Sequence, residues 1–227
     1  ATLIENGWQL KPLHRAIVLS SAYRQSSRSP HAAEYAAADP ENRLLWQFNR
    51  RRLSAEEVRD SMLAVSGRLT LKSGGPSVMT PVDPELVNLL YKPSQWAVTA
   101  DPAEHDRRSI YLIAKRNLRL PFMEVFDAPA LTTSCPNRAT STHAPQALEL
   151  LNGQLANSLA AAFAARLSND AAGSTEPAAV VDRAYRIALG RAPTSRELDL
   201  SLAFLGDQPL SEFTLAIFNL NDFLYVR

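Results

Sequence analysis

The chain has 227 residues, 46% of them hydrophobic, which is enough to bury a core without disulfide bonds. Its 24 basic and 23 acidic residues leave a net charge of +1, so the composition gives no electrostatic case for a nucleic-acid or anionic-membrane partner. The single cysteine, Cys135, excludes an intrachain disulfide, a Cys-x-x-Cys redox pair and a Cys-x-x-Cys-His haem attachment, and no apolar run reaches the roughly 18 to 20 residues of a membrane helix.

The N-terminal part of the sequence predicts two helices. Apolar residues recur at helical spacing from Lys11 to Arg24, which predicts an amphipathic helix. After a polar stretch over residues 25–38, Asp39 followed by Pro40 is typical of a helix N-terminus, because the first helical position needs no backbone donor. We expect this second helix to run through Trp46. The apolar stripe of the first helix consists of Leu10, Leu13, Ile17 and Val18.

A capping box predicts the start of the next helix. Ser54 and Glu57 have the spacing in which the hydroxyl and the carboxylate each accept a hydrogen bond from the other residue's backbone amide. The helix that follows should bury Val58, Met62 and Val65. Its start and its buried face are therefore both predicted from short-range patterns.

The middle of the chain reads as less helical. Asp83 before Pro84 predicts a short helix over residues 86–91. The segments Trp96–Thr99 and Ser109–Ile113 are rich in aromatic and β-branched residues, which favour strands. We expect them to pair as a small β-hairpin across the polar connection 100–107.

The C-terminal third has the most regular helical pattern. Leucines and Phe163 recur every three or four residues from Pro145, which predicts one long helix ending near Leu167. A linker of small residues, 168–177, precedes a helix that ends at Gly190. Thr194 and Glu197 form a second capping box, and a last apolar helix follows it.

These elements predict a mainly α fold, a helical bundle with a small β-hairpin in the middle of the chain. We divide it into an N-terminal helical region, 1–144, with the hairpin and a long polar loop, and a C-terminal helical bundle, 145–227, within one continuous domain. Because the chain begins at Ala1 rather than at Met, we also expect it to be a fragment of a larger protein.

Short motifs along nearly the whole chain carry a resemblance. They are Trp8-Gln9-Leu10-Lys11, Ser21-Ala22-Tyr23-Arg24-Gln25-Ser26, Asp39-Pro40-Glu41-Asn42-Arg43, Arg51-Arg52-Leu53 with Arg59-Asp60, Arg107-Arg108-Ser109-Ile110-Tyr111, Pro145-Gln146-Ala147-Leu148 and Phe218-Asn219-Leu220-Asn221-Asp222-Phe223-Leu224-Tyr225-Val226. In this order they resemble a planctomycete-type bacterial domain family of unknown function. Asp222 departs from the family pattern, in which Glu is expected.

The resemblance implies a context more than an activity. Proteins similar to this one are generally large and exported, with a cytochrome-c-like haem module and another uncharacterised domain upstream, and sometimes with sugar-binding modules. It implies an exported, periplasmic or cell-surface location and no cofactor in this chain, because a haem c would belong to an upstream module. The family offers no established catalytic residue to carry over.

The polar segment 127–144 is the candidate binding loop, because a stretch of this length without helical or strand pattern in a compact domain is typically functional or disordered. It contains Asp127, Cys135, Arg138 and His143. Cys135 could act as a nucleophile with His143 as its base. Alternatively, Arg138 could bind a carboxylate or phosphate through its planar guanidinium, or ordinary hydrogen bonds could pin the loop to the bundle.

Two carboxylates and the four histidines are further candidate site residues. Glu56 and Asp60 lie four residues apart on one helix, so they could form an acid/base pair, bind a hard cation, or make structural ion pairs with nearby arginines. The histidines are His14, His31, His105 and His143, and none has the local spacing of a zinc site. We therefore expect no metal site in this chain.

Arg107 and Arg108 are the candidate basic patch. With Tyr111 as a stacking platform, they could bind an acidic polymer. Acidic residues such as Asp106 lie close in sequence, so pairing within the chain is the alternative.

Two functions remain open from the sequence. The first is a non-catalytic interaction or docking module of an exported multidomain haem-associated protein, with upstream domains, a glycan or a protein as partner, and with no nucleic acid and no membrane span. The second is part of an enzyme that acts on polysaccharide or in electron transfer, with its site completed by upstream domains. A cleft where the loop 127–144 meets carboxylates, Arg107 or Arg108 would favour the second.

Overall fold

The computed structural model describes residues 1–169 and 176–226 of the chain. α-Helices are the main elements of these ranges, so the predicted mainly α fold is confirmed. In chain order the helices are α1 (Thr2–Glu5), α2 (Leu10–Leu19), α3 (Ala32–Ala38), α4 (Ala55–Ser66), α5 (Pro84–Asn88), α6 (Pro121–Val125), α7 (Ala144–Asn152), α8 (Gln154–Asn169), α9 (Pro177–Leu189), α10 (Ser195–Asp207), α11 (Leu210–Phe218) and α12 (Asn221–Leu224). The strands β1 (Arg51–Arg52) and β2 (Tyr225–Val226) pair as a two-stranded sheet.

The chain separates into two compact units. The first unit comprises residues 1–51 and the C-terminal residues from Tyr225, and the second unit comprises residues 52–224. The predicted division into 1–144 and 145–227 stays a prediction about domain organisation. Most of the predicted linker, 168–177, lies outside the described residues. None of the described helices is long and apolar enough to cross a membrane.

In the first unit, the predicted first helix is confirmed as α2, although it ends at Leu19 rather than at Arg24, whereas the predicted second helix is wrong. The helix α3 ends at Ala38, and Asp39 follows it. The Asp39 carboxylate accepts hydrogen bonds from the backbone amides of Arg43 and Leu44, at 3.0 and 2.8 Å. These bonds close a turn in which Asn42 has a positive φ, so the carboxylate that was expected to cap a helix holds a non-helical turn instead.

The second unit contains the hydrophobic core. Both halves of the predicted capping box are present at the start of α4, which is therefore confirmed together with its buried stripe. The helix α8 packs against α4 and α11, and these three helices are the centre of the unit. The core includes Val58, Met62, Leu63, Leu150, Leu159, Phe163, Val181, Phe213 and Phe218.

The predicted long helix from Pro145 to Leu167 is two helices, α7 and α8, which separate at Gly153. The amide of Gly153 donates to the carbonyl oxygen of Glu149 at 2.8 Å, and a Cβ on Gly153 would lie 2.4 Å from that oxygen. A close backbone approach of this kind requires glycine. The break changes which residues face the core, because Leu148 and Leu151 are exposed while Leu159 is buried.

The remaining C-terminal helices agree with the sequence. Gly190 ends α9 with a φ of 68°, and the capping box of Thr194 and Glu197 starts α10. The last predicted helix is divided into α11 and α12 at Asn219, whose side-chain amide donates to the carbonyl oxygen of Leu215 at 2.9 Å.

The predicted β-hairpin between Trp96–Thr99 and Ser109–Ile113 is not formed in the described part of the chain. Each segment instead hydrogen-bonds to residues 78–79. The amide of Thr99 donates to Met79 at 2.9 Å, and the amide of Ile113 donates to Val78 at 2.9 Å. A short 3-10 helix, Pro102–Asp106, lies between them, and a second, Ser109–Tyr111, lies within the second segment. The composition indicated extended backbone, but the pairing partner came from a segment without a strand pattern.

Candidate functional site

A pocket of about 240 Å³ lies in the second unit, where the predicted binding loop meets α4, α6 and the segment 112–120. Its walls are mainly aliphatic, and charged side chains also line it. The aliphatic residues include Leu112, Ile113, Leu118, Leu120, Met123 and Leu131, and the charged residues are Glu56, Lys115, Arg119, Glu124 and Arg138. It is an apolar cavity with a small number of ionic groups, the usual composition of a small-molecule site.

Arg138 is the predicted loop residue that lines this pocket. Its Nη1 donates to Oε2 of Glu56 at 2.8 Å, and this hydrogen bond raises the pKa of the guanidinium. Burial by itself would raise the pKa of Glu56, but the hydrogen bond from Arg138 outweighs it in combination with other contacts, so that the pKa of Glu56 is lowered. The pair is therefore ionised near neutral pH, with the positive group half-exposed.

Asp127 lies at the other end of the loop and has a structural role. Its carboxylate accepts hydrogen bonds from Arg52 at 2.5 Å, from the backbone amide of Ser141 at 2.9 Å and from the Ser141 hydroxyl at 2.7 Å. Burial would raise the pKa of Asp127, but the two bonds from Ser141 and the charge of Arg52 lower it. Because Ser141 is near the end of the loop, Asp127 ties the two ends of the loop together.

Cys135 and His143 are both exposed. The thiol of Cys135 donates to the carbonyl oxygen of Asn137 at 3.2 Å, and His143 precedes α7 without capping it through its side chain. The described residues show no hydrogen bond between the two side chains. The nucleophile hypothesis for this pair stays a prediction.

Arg107 and Arg108 differ in burial, since Arg107 is buried and Arg108 is exposed. Arg107 is 0% exposed, and its guanidinium donates to the carbonyl oxygens of Lys72 and Gly74 and to the Glu104 carboxylate. It also lies 3.9 Å from the centre of the Tyr111 ring. Arg108 is 58% exposed and 3.5 Å from an oxygen of Asp60. Arg107 therefore fixes the backbone of its own unit and does not contribute to an exposed basic patch.

Glu56 and Asp60 do not share a site. Glu56 pairs with Arg138, whereas Asp60 accepts hydrogen bonds from the Ser109 amide at 2.7 Å and the Ser109 hydroxyl at 2.6 Å. Within the described ranges no three His, Cys, Asp or Glu side chains are grouped as a metal site would require. The ion-pair interpretation of the two carboxylates agrees with these contacts.

Sequence reasoning missed most of the pocket. The walls come from residues 112–120 and from α6, neither of which was predicted to line a cavity. One local signal was present: Pro121 after Leu120 occupies the first position of α6, as proline often does. That signal locates a helix, whereas the cavity depends on contacts between distant segments.

In a comparison with known protein families, residues 1–205 match PSD1, described as a protein of unknown function (DUF1553). The chain belongs to the PSD1 family. The matched range includes α2 and every residue of the pocket, so both features lie within the PSD1 domain. No curated protein and no solved structure matches this chain significantly.

Proposed function

We propose that this PSD1 chain is a non-catalytic interaction module, and that its first unit docks on an upstream domain of an exported, multidomain, haem-associated protein. The observation that carries the proposal is the exposure of the apolar residues of the first unit. Export, a planctomycete-type source and the haem module come from the sequence resemblance and are part of the proposal.

The first unit has an apolar surface but no apolar core of its own. Among residues 1–51 only Asn42 is buried. The exposed large hydrophobic residues in this range are Ile4, Trp8, Leu10, Ile17, Val18, Leu19, Tyr23, Tyr35, Leu44 and Leu45. Burial of apolar area is the main stabilising term in folding and association, at about 25 cal/mol per Å². Apolar residues concentrated on one short unit are typical of an interaction surface.

The charges around the pocket also favour a binding role over catalysis. A general acid at neutral pH needs a carboxyl group with a raised pKa. The pKa of Glu56 is lowered by its pairing with Arg138, so this carboxylate is held ionised. Its chemistry suits an ion pair better than proton donation.

Amide hydrogen exchange tests the docking proposal. We expect the amides of α1 and α2 to exchange quickly in this chain alone and to become protected, by tenfold or more, when the chain is part of the full-length protein. Ile17→Asp should remove that protection, because it places a charge in the apolar stripe. Ala16→Asp introduces the same charge away from the stripe and should keep the protection. Equal exchange in the two contexts would contradict the docking role.

One observation favours the alternative, an enzyme acting on polysaccharide or in electron transfer whose site is completed by upstream domains. The pocket is a cleft where the loop 127–144 meets two carboxylates, Glu56 and Glu124. Under this alternative, the full-length protein should show turnover that Arg138→Gln reduces, with the Ile17→Asp variant also impaired if docking completes the site. Turnover that both variants leave unchanged would exclude this arrangement.

A further inference from the structure

We infer that the pocket in the second unit binds a small amphipathic carboxylate, with an aliphatic chain in the cavity and its carboxylate on Arg138. This inference does not depend on the docking role of the first unit, because every residue of the pocket lies between Glu56 and Arg138.

The size of the cavity limits the ligand. An apolar protein cavity of about 150 Å³ holds benzene, which has six carbon atoms. By the same proportion, a pocket of about 240 Å³ holds roughly ten non-hydrogen atoms. A saturated monocarboxylate with eight carbons has that size.

The walls select an aliphatic body. Leu112, Ile113, Leu118 and Met123 present side chains without hydrogen-bonding groups, apart from the weakly accepting thioether. The one hydroxyl side chain in the lining, Ser109, already donates to Asp60 and accepts from Arg59 at 3.1 Å. A sugar would bury those of its hydroxyls that face the aliphatic walls without partners, which is costly. An aliphatic chain would leave no polar group unsatisfied.

The charges favour an anion at the mouth of the pocket. Three cationic residues line it, Lys115, Arg119 and Arg138, against two carboxylates, Glu56 and Glu124. Arg119 pairs with Glu124, and the ammonium of Lys115 donates to the carbonyl oxygen of Gln95 at 2.5 Å. Arg138 has one donor, Nη1, engaged with Glu56. The guanidinium carries five N–H donors, so it can donate to a second carboxylate while it keeps its hydrogen bond to Glu56.

Calorimetric titration of the intact chain with octanoate tests the inference. We expect saturable binding with a stoichiometry of one. The alcohol 1-octanol keeps the chain length and lacks the charge, so it should bind at least about tenfold more weakly. Acetate keeps the charge and lacks six methylenes of the chain, so it should bind more weakly by a factor on the order of a thousand.

Variants then locate the two ends of the ligand. Arg138→Gln should weaken octanoate binding about tenfold or more, whereas Arg186→Gln, which removes another exposed arginine that is ion-paired with Asp182, should leave it unchanged. Glu56→Gln should strengthen binding several-fold, because it removes the anion that competes for Arg138. Ala114→Phe fills the cavity and should abolish binding, provided that its melting transition remains cooperative.

The outcomes are decisive in both directions. Absence of octanoate binding, or equal affinity for octanoate and 1-octanol, would overturn the inference. Equal weakening by Arg138→Gln and Arg186→Gln would overturn the assignment of the carboxylate to Arg138. If Arg138→Gln fails to fold, the increase expected for Glu56→Gln still tests the same contact.

Discussion

The two units contain similar amphipathic helices with opposite burial. In the second unit, Val58 and Met62 on α4 are 0% exposed. In the first unit, Ile17 and Val18 on α2 are 48% and 44% exposed, although both helices have the same period of apolar residues. The period of a helix shows which face is apolar. Whether that face is buried depends on a partner, which α4 has in α8 and which we propose α2 finds outside this chain.

Matched leucine substitutions should give the largest difference between the units. Leu159→Ala removes a fully buried side chain from α8, so we expect it to lower the free energy of unfolding by about 3 to 5 kcal/mol. Leu10→Ala removes an exposed leucine from α2 and should change it by no more than about 0.5 kcal/mol. Urea unfolding followed by circular dichroism measures both. A comparable loss in the two variants would mean that the first unit has a core of its own.

A contrast between a buried and an exposed side chain also occurs within the second unit, at the adjacent residues Arg107 and Arg108. Arg107→Met should cost about 2 to 3 kcal/mol, because the carbonyl oxygens of Lys72 and Gly74 lose a charged donor inside the protein. Arg108→Met breaks an exposed ion pair with Asp60 and should cost less than about 1 kcal/mol. Thermal unfolding of the two variants provides the measurement. Equal costs would show that Arg107 is more accessible than its contacts indicate.

The features that the sequence predicted well are those whose cause is local. The capping boxes at Ser54 and Thr194 are correct because each depends on two residues within one turn of helix. The C-terminus of α9 at Gly190 is correct for the same reason, since a left-handed residue there needs no distant contact.

The errors have causes outside the local pattern. The leucine period continued through Gly153, but the backbone leaves the helical conformation there, with a ψ of 137°, and the carbonyl oxygen of Glu149 lies where a side chain would be. The segment 96–99 has strand composition, yet its partner is residues 78–79, which composition did not indicate. The Asp39 carboxylate can accept hydrogen bonds from backbone amides either at a helix N-terminus or in a turn, and the sequence could not distinguish the two.

The candidate site shows the same division. Polar composition indicates the loop 127–144 as a candidate site, and of its four candidate residues Arg138 lines the pocket. Its partner Glu56 is 82 residues away in sequence, and the aliphatic wall residues alternate with charged ones such as Lys115 and Arg119, a pattern that does not indicate a cavity. Neighbouring arginines with the same chemistry, Arg107 and Arg108, differ completely in burial, and only the tertiary contacts decide that difference.

Ion pairs provide the smallest expected difference between the units. In the second unit, Arg191 binds Glu197, and its two hydrogen bonds, opposed in part by burial, lower the pKa of Glu197 from 4.5 to about 2. A carboxyl group whose pKa is lower in the folded than in the unfolded state stabilises the folded state at pH values above its unfolded pKa. This contribution is lost as the pH falls through the folded pKa. Glu197→Gln keeps the capping geometry and removes the charge. At pH 7 the free energy of unfolding of the wild type should therefore be about 1 kcal/mol higher than that of this variant. Urea unfolding at a series of pH values should show this difference disappear between pH 4.5 and about 2. In the first unit, Glu41→Gln breaks a pair with Arg43 that is almost fully exposed, and it should leave the unfolding of the second unit unchanged. A pH-independent difference for Glu197→Gln would mean that its charge does not stabilise the fold.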